Sequence, residues 1–556
     1  MTIEPSTTPP KHASHVTTWL AIDERCVAPA LWFSLTVFFL LIVAHALFIS
    51  LHTLPPTWDE AHYLLGAAQW RDALRSIDPA QLWGTYTSLL LYKPPLISVL
   101  AGSTMLFAGN SPSAGALSLL LLFILLGMAS WRLFCNIFPS NVSACASVIL
   151  LSMPMLTGLT HYLYPEGLAL LLMLLYLNVL IRSGWRSYRS AALLGALLGL
   201  GMLAKTTFPA LMAAPSLYLL FVQIREDCRN SKRWRHLLLP APRLLLCLTI
   251  ALLLGASWYV NNFALANKHA QTAFWCEACT HPTGRTLLAL ASAGPYFFTS
   301  ALALVGVLPL VIALYRRLLP MRAVHTWVSL LLISAVTFCA ILISPNKALR
   351  LATPILPLLS ALSIVGIFSI LKTPSARRKS IACCMLLSLL LVLHNSFRIL
   401  PLPIYRWHDL TLLSDRFPLN VPGWRDDNVP LSRTTYPFKE VATFVAKDSR
   451  RRFAGVTPLV MLSADCPYFN HNLFDYLGRR GHQLYLPVGY RSLEGEARPQ
   501  YVLLLENGLP HCGGTNAHDG GADFQRGVRE GHLGYSVLRS FSSADGVNVS
   551  VFVRTS

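Results

Sequence analysis

The sequence predicts an all-α polytopic membrane protein with about eleven transmembrane helices (range about 10–13), followed by a small C-terminal α/β domain. The chain of 556 residues is 54% hydrophobic and only 13% charged, which is more apolar than a soluble domain needs. Apolar runs recur between residues 28 and 400, and none of spanning length follows. Basic residues cluster between the runs, so the net charge of +19 indicates orientation in a membrane rather than nucleic-acid binding.

The N-terminal residues 1–27 are polar and mixed in charge, and we interpret them as a cytoplasmic tail. Residues 28–50 form an uninterrupted apolar run long enough for the first transmembrane helix. The loop at 51–93 that follows is therefore predicted to be extracytoplasmic. It carries the adjacent carboxylates Asp59 and Glu60 near its start.

Clusters of basic residues indicate which end of each remaining helix is cytoplasmic. These clusters lie at 182–189, 225–243, 316–322 and 372–379. Transmembrane helices then alternate without contradiction at roughly 166–181, 190–206, 209–224, 244–261, 297–314, 325–343, 351–371 and 380–400. The whole region 28–400 is predicted to be one transmembrane domain.

Residues between Lys93 and Glu166 do not fit a simple alternation. They contain three apolar runs, near 95–109, 114–135 and 142–160, while both ends of the region are predicted to be external. An even number of crossings is then required, so one run is re-entrant, interfacial or merged with its neighbour. We count two crossings here, for about eleven in total.

Residues 401–556 have a polar, proline-punctuated composition and are predicted to form a soluble periplasmic α/β domain. Four stretches have the composition of short strands, and one is typical of a helix. The strands are predicted at Leu459–Ser463, Tyr501–Glu506, Tyr535–Phe541 and Val547–Arg554, and the helix at Phe474–Arg480.

Two cysteine pairs are candidates for disulfides in an oxidising compartment. Cys276 and Cys279 are close in sequence, in a predicted external loop, and Cys466 and Cys512 are a second candidate pair. A zinc site with His281 lacks a visible fourth ligand, and a third alternative is that these cysteines have no role. The sequence leaves the choice open.

Several charged residues emerge on the predicted external face, opposite the basic clusters. Besides Asp59 and Glu60 they include Lys205, Lys347 and Arg350. Because an ionisable group at membrane depth costs about 2.5–3.5 kcal/mol on insertion scales, such groups usually face a cavity and a partner. The structural alternatives are an acidic helix start for Asp59 and Glu60, and snorkelling at the interface for the cations.

Five motifs occur in an order that resembles the GT-C superfamily of integral-membrane glycosyltransferases. The resemblance covers roughly residues 28–400 and is strongest to the bacterial branch with aminoarabinose transferases acting on lipid A and relatives of protein O-mannosyltransferases. The motifs are Trp58-Asp-Glu-Ala-His-Tyr63, Tyr92-Lys-Pro-Pro-Leu96, Leu198-Gly-Leu-Gly-Met-Leu-Ala-Lys-Thr206, Ser257-Trp-Tyr-Val-Asn-Asn262 and Ser344-Pro-Asn-Lys-Ala-Leu-Arg350 with the residues up to Pro357.

The resemblance implies that acidic residues carry the chemistry of sugar transfer. Asp59 matches the family's first external acidic residue, which implies a general base, and Glu60 is the adjacent alternative. Glu166 resembles the second acidic position, although many relatives carry Asp there. These three carboxylates have oxygen ligands suited to Mg²⁺ or Mn²⁺. Since the lipid A branch of the family manages without a metal, we predict neither a metal nor another cofactor.

The donor implied by the family is a sugar on a polyprenyl phosphate, whose phosphate needs fixed cations as it leaves. Lys347 and Arg350, three residues apart, are predicted to project from one helix face, and Lys93 to approach from the first loop. Lys205 is a further candidate for the phosphate site. Tyr63 and Tyr92 are predicted to lie near the substrate cavity.

The predicted function is therefore an inverting transfer of a sugar from undecaprenyl phosphate to a lipid, glycan or protein acceptor. The predicted location is the bacterial inner membrane, with multiple passes and a periplasmic active site, and nucleic acid is not an expected partner. One alternative is a transporter or flippase of lipid-linked or polar substrates, which predicts inverted repeats and charges at the membrane midplane. Another is a non-catalytic membrane assembly subunit with a degenerate site.

Overall fold

Up to residue 397 the described part of the chain is mainly helical, and a small mixed sheet is described near the C-terminus. The computed structural model describes residues 27–231, 241–274, 296–345, 349–371, 373–397, 399, 432, 435–453, 458–463, 469–478, 484–486, 499–506, 521–544 and 546–555. The helices before the sheet are α1 (Val27–Leu51), α2 (Trp58–Ser76), α3 (Pro79–Ser88), α4 (Leu96–Ala108), α5 (Pro112–Phe134), α6 (Ser140–Leu151), α7 (Pro154–His161), α8 (Pro165–Ser183), α9 (Tyr188–Ala204), α10 (Phe208–Ser231), α11 (Ala241–Phe274), α12 (Phe297–Tyr315), α13 (Met321–Ile343), α14 (Leu356–Ile370) and α15 (Pro374–Phe397), with a 3₁₀ helix at Leu349–Ile355 before α14.

Among the described residues, nine helices are long and apolar enough to cross a membrane. The bent pair of helices brings the count to ten, and one shorter apolar helix brings it to eleven. The pair is α6 and α7, which passes the same test together and is bent by 66°, and the shorter apolar helix is α9. The prediction of a polytopic membrane protein with about eleven transmembrane helices is thus confirmed.

The bundle has two ends that carry different charges. The end with Asp59, Glu166, Lys205 and Arg350, whose side chains meet, is called the site face below. The other end is called the opposite face. There, Arg186 of the α8–α9 loop forms an ion pair of 3.0 Å with Glu226 of α10. The acidic residues of the site and most basic clusters therefore lie at opposite ends of the same helices, as alternating crossings require.

The first of the three ambiguous apolar runs, α4, is the one that does not cross. It has 13 residues, which gives about 20 Å, short of the roughly 30 Å of hydrocarbon. It lies along α2 so closely that a Cβ on Gly102 would collide with the carbonyl oxygen of Ala67. At the end of α5, in contrast, the carbonyl oxygen of Arg132 accepts a hydrogen bond of 3.2 Å from Arg182 on the opposite face. Hence α5 and the α6–α7 pair are the two crossings.

Local sequence explains where several of these helices begin. Asp78 caps α3 through a hydrogen bond from the backbone N–H of Ala80, and proline follows the cap. Ser111 caps α5 in the same way, and Ser187 begins α9 with a capping box. Side-chain caps of this kind satisfy backbone donors that a helix start leaves without partners.

The C-terminal sheet has five described strands in the order β2-β1-β3-β5-β4. Strand β1 pairs in parallel with β2 and β3, whereas β5 pairs antiparallel with β3 and β4. The elements are α16 (Phe438–Arg452), β1 (Leu459–Leu462), α17 (His471–Gly478), β2 (Leu484–Leu486), β3 (Tyr501–Leu505), α18 (Gly521–Arg529), β4 (Tyr535–Ser542) and β5 (Asn548–Arg554). The small α/β part is thus confirmed.

Four of the five strands were predicted from the sequence, but not all the helices of this part were. Helix α17 begins three residues before the predicted Phe474, and α16, α18 and β2 were not predicted. Helix α16 is amphipathic, with Val441, Ala442 and Val445 buried against the sheet and three arginines in its last turn. That helical periodicity was visible in the sequence. The proposed division at residue 400 falls mostly on residues outside the described ranges and stays a prediction, as does the N-terminal tail.

Candidate active site

The site is built around the first turn of α2, where the chain re-enters a helix after the loop that follows α1. Thr57 is the N-cap residue, in an extended conformation, and Asp59 and Glu60 lie in the first turn. An acidic first turn is favourable for any helix because of the helix dipole. Here, however, both carboxylates are directed at specific partners in other elements.

Asp59 forms ion pairs with two cations that come from distant parts of the chain. Its Oδ1 accepts a hydrogen bond of 2.6 Å from the Lys93 Nζ, and its Oδ2 accepts one of 2.9 Å from the Arg350 Nη2. About 30% of the side-chain surface of Asp59 and of Arg350 is exposed, whereas Lys93 is more buried. These three side chains form one half of the charged site.

Glu166 forms the other half, at the first turn of α8. Its side chain is only 6% exposed, and its Oε1 accepts a hydrogen bond of 3.1 Å from the Lys205 Nζ. The Nε of Arg350 lies 3.8 Å from the same oxygen, so Arg350 stands between Asp59 and Glu166. The Glu166 Oε2 is buried and has no hydrogen-bond partner among the described atoms.

The result is an alternating row of charges, Lys93–Asp59–Arg350–Glu166–Lys205, with three cations and two anions. The row has one excess positive charge. It can therefore bind an anionic group, and that group can replace a carboxylate as the partner of one of the cations. The row draws on five separate segments of the chain: α2, the α3–α4 loop, α8, the residue after α9 and the 3₁₀ helix.

The surrounding charges hold Asp59 ionised. Burial by itself raises the pKa of its carboxyl group, but the charges of Arg350 and Lys93 and their hydrogen bonds outweigh burial and hold the pKa below its ordinary value. A carboxylate in this state is a weak proton acceptor as long as both cations stay paired with it.

Aromatic rings surround the cations. The Lys93 Nζ lies 5.3 Å from the ring centre of Tyr63 and 5.6 Å from that of Tyr92, and the Arg350 guanidinium lies 5.3 Å from the ring of Tyr164. Burial, followed by the charge of Asp59, raises the pKa of both Tyr63 and Tyr92, so their hydroxyls stay protonated. The prediction that Tyr63 and Tyr92 lie near the site agrees with this placement, whereas the sequence analysis missed Tyr164.

Lys93 is held by a strained turn. Leu90 and Leu91, three and two residues before it, have positive φ values of 62° and 47°, which is costly for a branched side chain. The backbone before the turn is bound to α11: the Trp258 Nε1 donates a 2.9 Å hydrogen bond to the Leu89 carbonyl, and the Asn262 Nδ2 donates one of 2.5 Å to the Thr87 carbonyl. Two residues of the fourth motif thus position Lys93.

Trp258 and Asn262 were selected from the sequence only as members of the fourth motif, and their positioning role was not predicted. The spacing of four between Trp258 and Asn262 places both side chains on one face of α11. That spacing was a visible signal, but the loop that the two side chains hold is about 170 residues earlier in the chain.

The C-terminal part packs directly on the helix that carries Asp59. Ala61 is 0% exposed and belongs to the same apolar core as Phe438 and Phe474. The Asn472 side chain of α17 hydrogen-bonds His62, whose ring stacks on Tyr92 with 5.0 Å between ring centres. Burial, assisted by the charge of Lys93, lowers the pKa of His62 to about 4, so this imidazole is neutral at pH 7.

Not every predicted residue joins the charged row. Lys347 lies outside the described residues, as do Cys276, Cys279, Cys466 and Cys512 with their candidate disulfides. Glu60 is buried, and its Oε1 accepts a hydrogen bond of 3.3 Å from the backbone N–H of Leu163. Its placement favours a structural role in joining α2 to the start of α8.

Within the described ranges, no group of three His, Cys, Asp or Glu side chains is placed to hold a metal ion. Asp59 and Glu166 are separated by Arg350, whose guanidinium occupies the space in which a shared cation would lie. The carboxylates here are arranged to bind guanidinium and ammonium groups.

Comparison with known proteins gives one family model that matches part of the chain. Residues 92–254 match the family model described as "Dolichyl-phosphate-mannose-protein mannosyltransferase", a segment that includes Lys93, Glu166 and Lys205. No curated protein matches the sequence.

One solved structure resembles nearly the whole chain. The crystal structure of ArnT from Cupriavidus metallidurans bound to undecaprenyl phosphate matches with a TM-score of 0.56 at 13% identity, covering 96% of this chain and 98% of that chain. At this identity the match establishes the fold. The family match and the structural match are both consistent with the resemblance to the GT-C glycosyltransferases that the motifs gave.

Proposed function

We propose that this chain, an enzyme with the GT-C fold, transfers a sugar from a polyprenyl-phosphate donor such as undecaprenyl phosphate to an acceptor at the site face. The observation that carries the proposal is the row of three cations and two carboxylates that five segments bring together. The ArnT structure, which holds undecaprenyl phosphate, supports the choice of donor.

Donor binding begins with an exchange of partners. In the described arrangement Asp59 holds Lys93 and Arg350 in position, as a phosphate would. The phosphate of a donor competes for the same N–H groups, and guanidinium binds two phosphate oxygens in a fork that an ammonium cannot reproduce. Lys93 and Arg350 therefore turn from the carboxylate toward the phosphate.

This exchange changes the chemistry of Asp59. Once a cation has turned to the phosphate, one carboxylate oxygen is released and the pKa of the carboxyl group rises from its depressed value. Asp59 then accepts the proton of an acceptor hydroxyl or amine as general base. If the acceptor is itself a phosphate, no strong base is needed, and Asp59 orients the acceptor or stabilises positive charge on the sugar.

The transfer is a single displacement. The acceptor atom forms a bond to the anomeric carbon while the bond from that carbon to the phosphate oxygen breaks, and its electron pair leaves with the phosphate. Lys93 and Arg350 neutralise the charge that develops on this leaving group, while Glu166, itself paired with Lys205, attracts Arg350 from the other side. One displacement inverts the configuration of the anomeric carbon.

The site face is proposed to be the periplasmic side of a bacterial inner membrane. The support is the distribution of charge, because the basic loops such as those with Arg186 and Arg316 lie at the opposite face, where the positive-inside rule places the cytoplasm. The acceptor is a lipid, glycan or protein that reaches this side.

The test is a transfer assay with purified protein, polyprenyl-phosphate sugars and crude envelope acceptors. We expect the wild type to release free polyprenyl phosphate together with product. Asp59→Asn should lower the turnover by about 10²–10⁴-fold if Asp59 is the base. Glu226→Gln, which removes an exposed carboxylate at the opposite face, is the matched control and should transfer normally.

Two outcomes would favour a different function. If wild-type protein in vesicles moves a lipid-linked sugar across the bilayer and forms no product, the transporter alternative replaces the transferase. If Asp59→Asn folds, transfers no sugar and still complements the loss of the gene as well as wild type does, a scaffold role is favoured. Normal transfer by Asp59→Asn would leave the transferase assignment in place and would show that Asp59 is not the general base.

A further inference from the structure

We propose that the opposite face carries a binding site for the headgroup of an anionic phospholipid, formed by Arg132, Arg182 and Arg322. These residues belong to three different helices, at the end of α5, the end of α8 and the start of α13. Arg182 is sixteen residues from Glu166 along α8, which is about 24 Å, so this site is separate from the transfer site.

The structure brings the three arginines together at one corner of the bundle. The Arg182 Nη2 donates its 3.2 Å hydrogen bond to the carbonyl oxygen of Arg132, and both Arg132 and Arg322 are close enough to act electrostatically on Arg182. The loop after α5 contacts α13, where the ring of Phe138 meets that of Trp327 edge to face at 6.2 Å.

This corner has cations and hydrogen-bond donors without a matching anion. In the part of the chain that the structure describes, no carboxylate forms an ion pair with any of the three arginines, and Glu226 is paired with Arg186 instead. The Arg182 Nε is buried and has no acceptor among the described atoms, and the same holds for the Nδ2 of Asn136 in the loop after α5. A buried donor left without an acceptor is costly, so the corner favours an anionic acceptor.

The surroundings of the corner identify the anion as part of a lipid. Met128, Trp131 and Met321, which adjoin the arginines on α5 and α13, are large and exposed. An apolar surface beside cations at a helix end is the environment of a phospholipid, with the phosphate at the headgroup level and the acyl chains below it. The arginine fork matches phosphate oxygens, and the uncompensated charge selects a lipid with net negative charge.

The experiment is a lipid titration of the purified full-length protein in a neutral detergent, followed by native mass spectrometry. The probes are phosphatidylglycerol, zwitterionic phosphatidylcholine and inorganic phosphate. We expect phosphatidylglycerol to bind with an affinity at least about tenfold higher than phosphatidylcholine. Arg132→Gln/Arg182→Gln/Arg322→Gln should lose this preference, while glycosyl transfer should persist.

A matched variant separates a specific site from general surface charge. Arg316→Gln/Arg378→Gln/Lys379→Gln removes three exposed cations at the same face and should keep the preference. Arg322→Gln alone, at an exposed position, is the second variant if the triple variant misfolds, and it should weaken binding of phosphatidylglycerol. Replacing all three arginines by lysine keeps the charge, removes the fork and should give intermediate affinity.

The proposal is overturned if the control variant loses as much affinity as the arginine variant, because binding would then follow net charge alone. Equal binding of phosphatidylcholine and phosphatidylglycerol to wild type would also overturn it. If inorganic phosphate stabilises the protein as well as phosphatidylglycerol does, and competes with it, the corner is a site for a soluble anion rather than a lipid.

Discussion

Arg350 is the residue that connects the two halves of the charged row. Its Nη2 binds Asp59, while its Nε faces Glu166 at 3.8 Å. A single planar group reaches both carboxylates only because its nitrogens point in different directions. The position of Asp59 relative to Glu166 therefore depends on guanidinium geometry as well as on charge.

Arg350→Lys keeps the charge and removes the fork. We expect kcat/KM for the donor to fall by about ten- to a hundredfold, equivalent to about 1.4–2.8 kcal/mol, because one ammonium cannot serve both carboxylates and a phosphate. Steady-state kinetics at varied donor concentration measure the change. The control is Arg378→Lys, an exposed arginine at the opposite face, and equal losses in the two variants would contradict the assignment.

The pairing of Asp59 also predicts how the stability of the protein depends on pH. A carboxyl group with a depressed pKa is ionised throughout the range above its ordinary value of 3.8. The stability that its ion pairs contribute is therefore fully present above about pH 4–5 and is lost only as the pH falls through the depressed pKa. We expect the difference in melting temperature between wild type and Asp59→Asn to be constant from about pH 5 to pH 8.

Kinetic profiles separate the free enzyme from the donor complex. The acidic limb of kcat/KM reports the free enzyme, and the acidic limb of kcat reports the complex. Because the donor phosphate takes cations from Asp59, the limb in kcat should lie at the higher pH. Coincident limbs would mean that donor binding leaves the pairing of Asp59 unchanged.

At the scale of elements, helix α11 supports the loop that carries Lys93. Two side chains one turn apart bind the backbone at Leu89 and Thr87, on the N-terminal side of the left-handed residues Leu90 and Leu91. The hydrogen bonds stabilise a conformation that the leucines alone disfavour. Trp258 and Asn262 therefore position the loop that carries Lys93.

Trp258→Phe removes the N–H group and keeps most of the apolar volume. We expect KM for the donor to rise by about five- to thirtyfold, since a lost hydrogen bond costs about 1–2 kcal/mol and the turn relaxes, while kcat changes less. Tyr259→Phe is the matched control, because it removes a hydrogen bond of 3.0 Å to the carbonyl oxygen of Met202 from the next residue of the same helix. A purely structural role for Trp258 would lower the melting temperature and leave KM unchanged.

At the scale of the whole molecule, the sheet completes the surroundings of the site. Ala61, two residues after Asp59, is buried in the core beneath the sheet, and the backbone N–H of Thr53 donates a 2.9 Å hydrogen bond to the carbonyl of Ser432. The C-terminal part thus constrains the helix that carries the carboxylate from the side opposite the membrane helices.

Ala61→Trp tests this coupling. A large side chain in a filled core costs about 1–3 kcal/mol, so we expect the C-terminal part to be cleaved faster by protease and the transfer rate to fall. Ala80→Trp, at an exposed position of α3, should change neither. Faster cleavage with full activity would show that the sheet does not constrain Asp59.

The sequence predicted most of the membrane fold because a bilayer leaves few choices. A crossing must be a long apolar helix with its backbone groups paired, and the basic loops set its direction. Nearly all predicted crossings agree with the structure for this reason. The apolar run at α4 was ambiguous, since apolarity alone does not distinguish a short helix that lies along α2 from one that crosses.

The tertiary structure alone decided how the charged residues are paired. Motifs in the sequence selected Asp59, Lys93, Glu166, Lys205 and Arg350, and all five lie together. Their spacing contains no information on which cation binds which carboxylate, on the turn that presents Lys93, or on the sheet that covers Ala61. These contacts join segments up to 291 residues apart, and only the packing of the helices brings such segments within hydrogen-bonding distance.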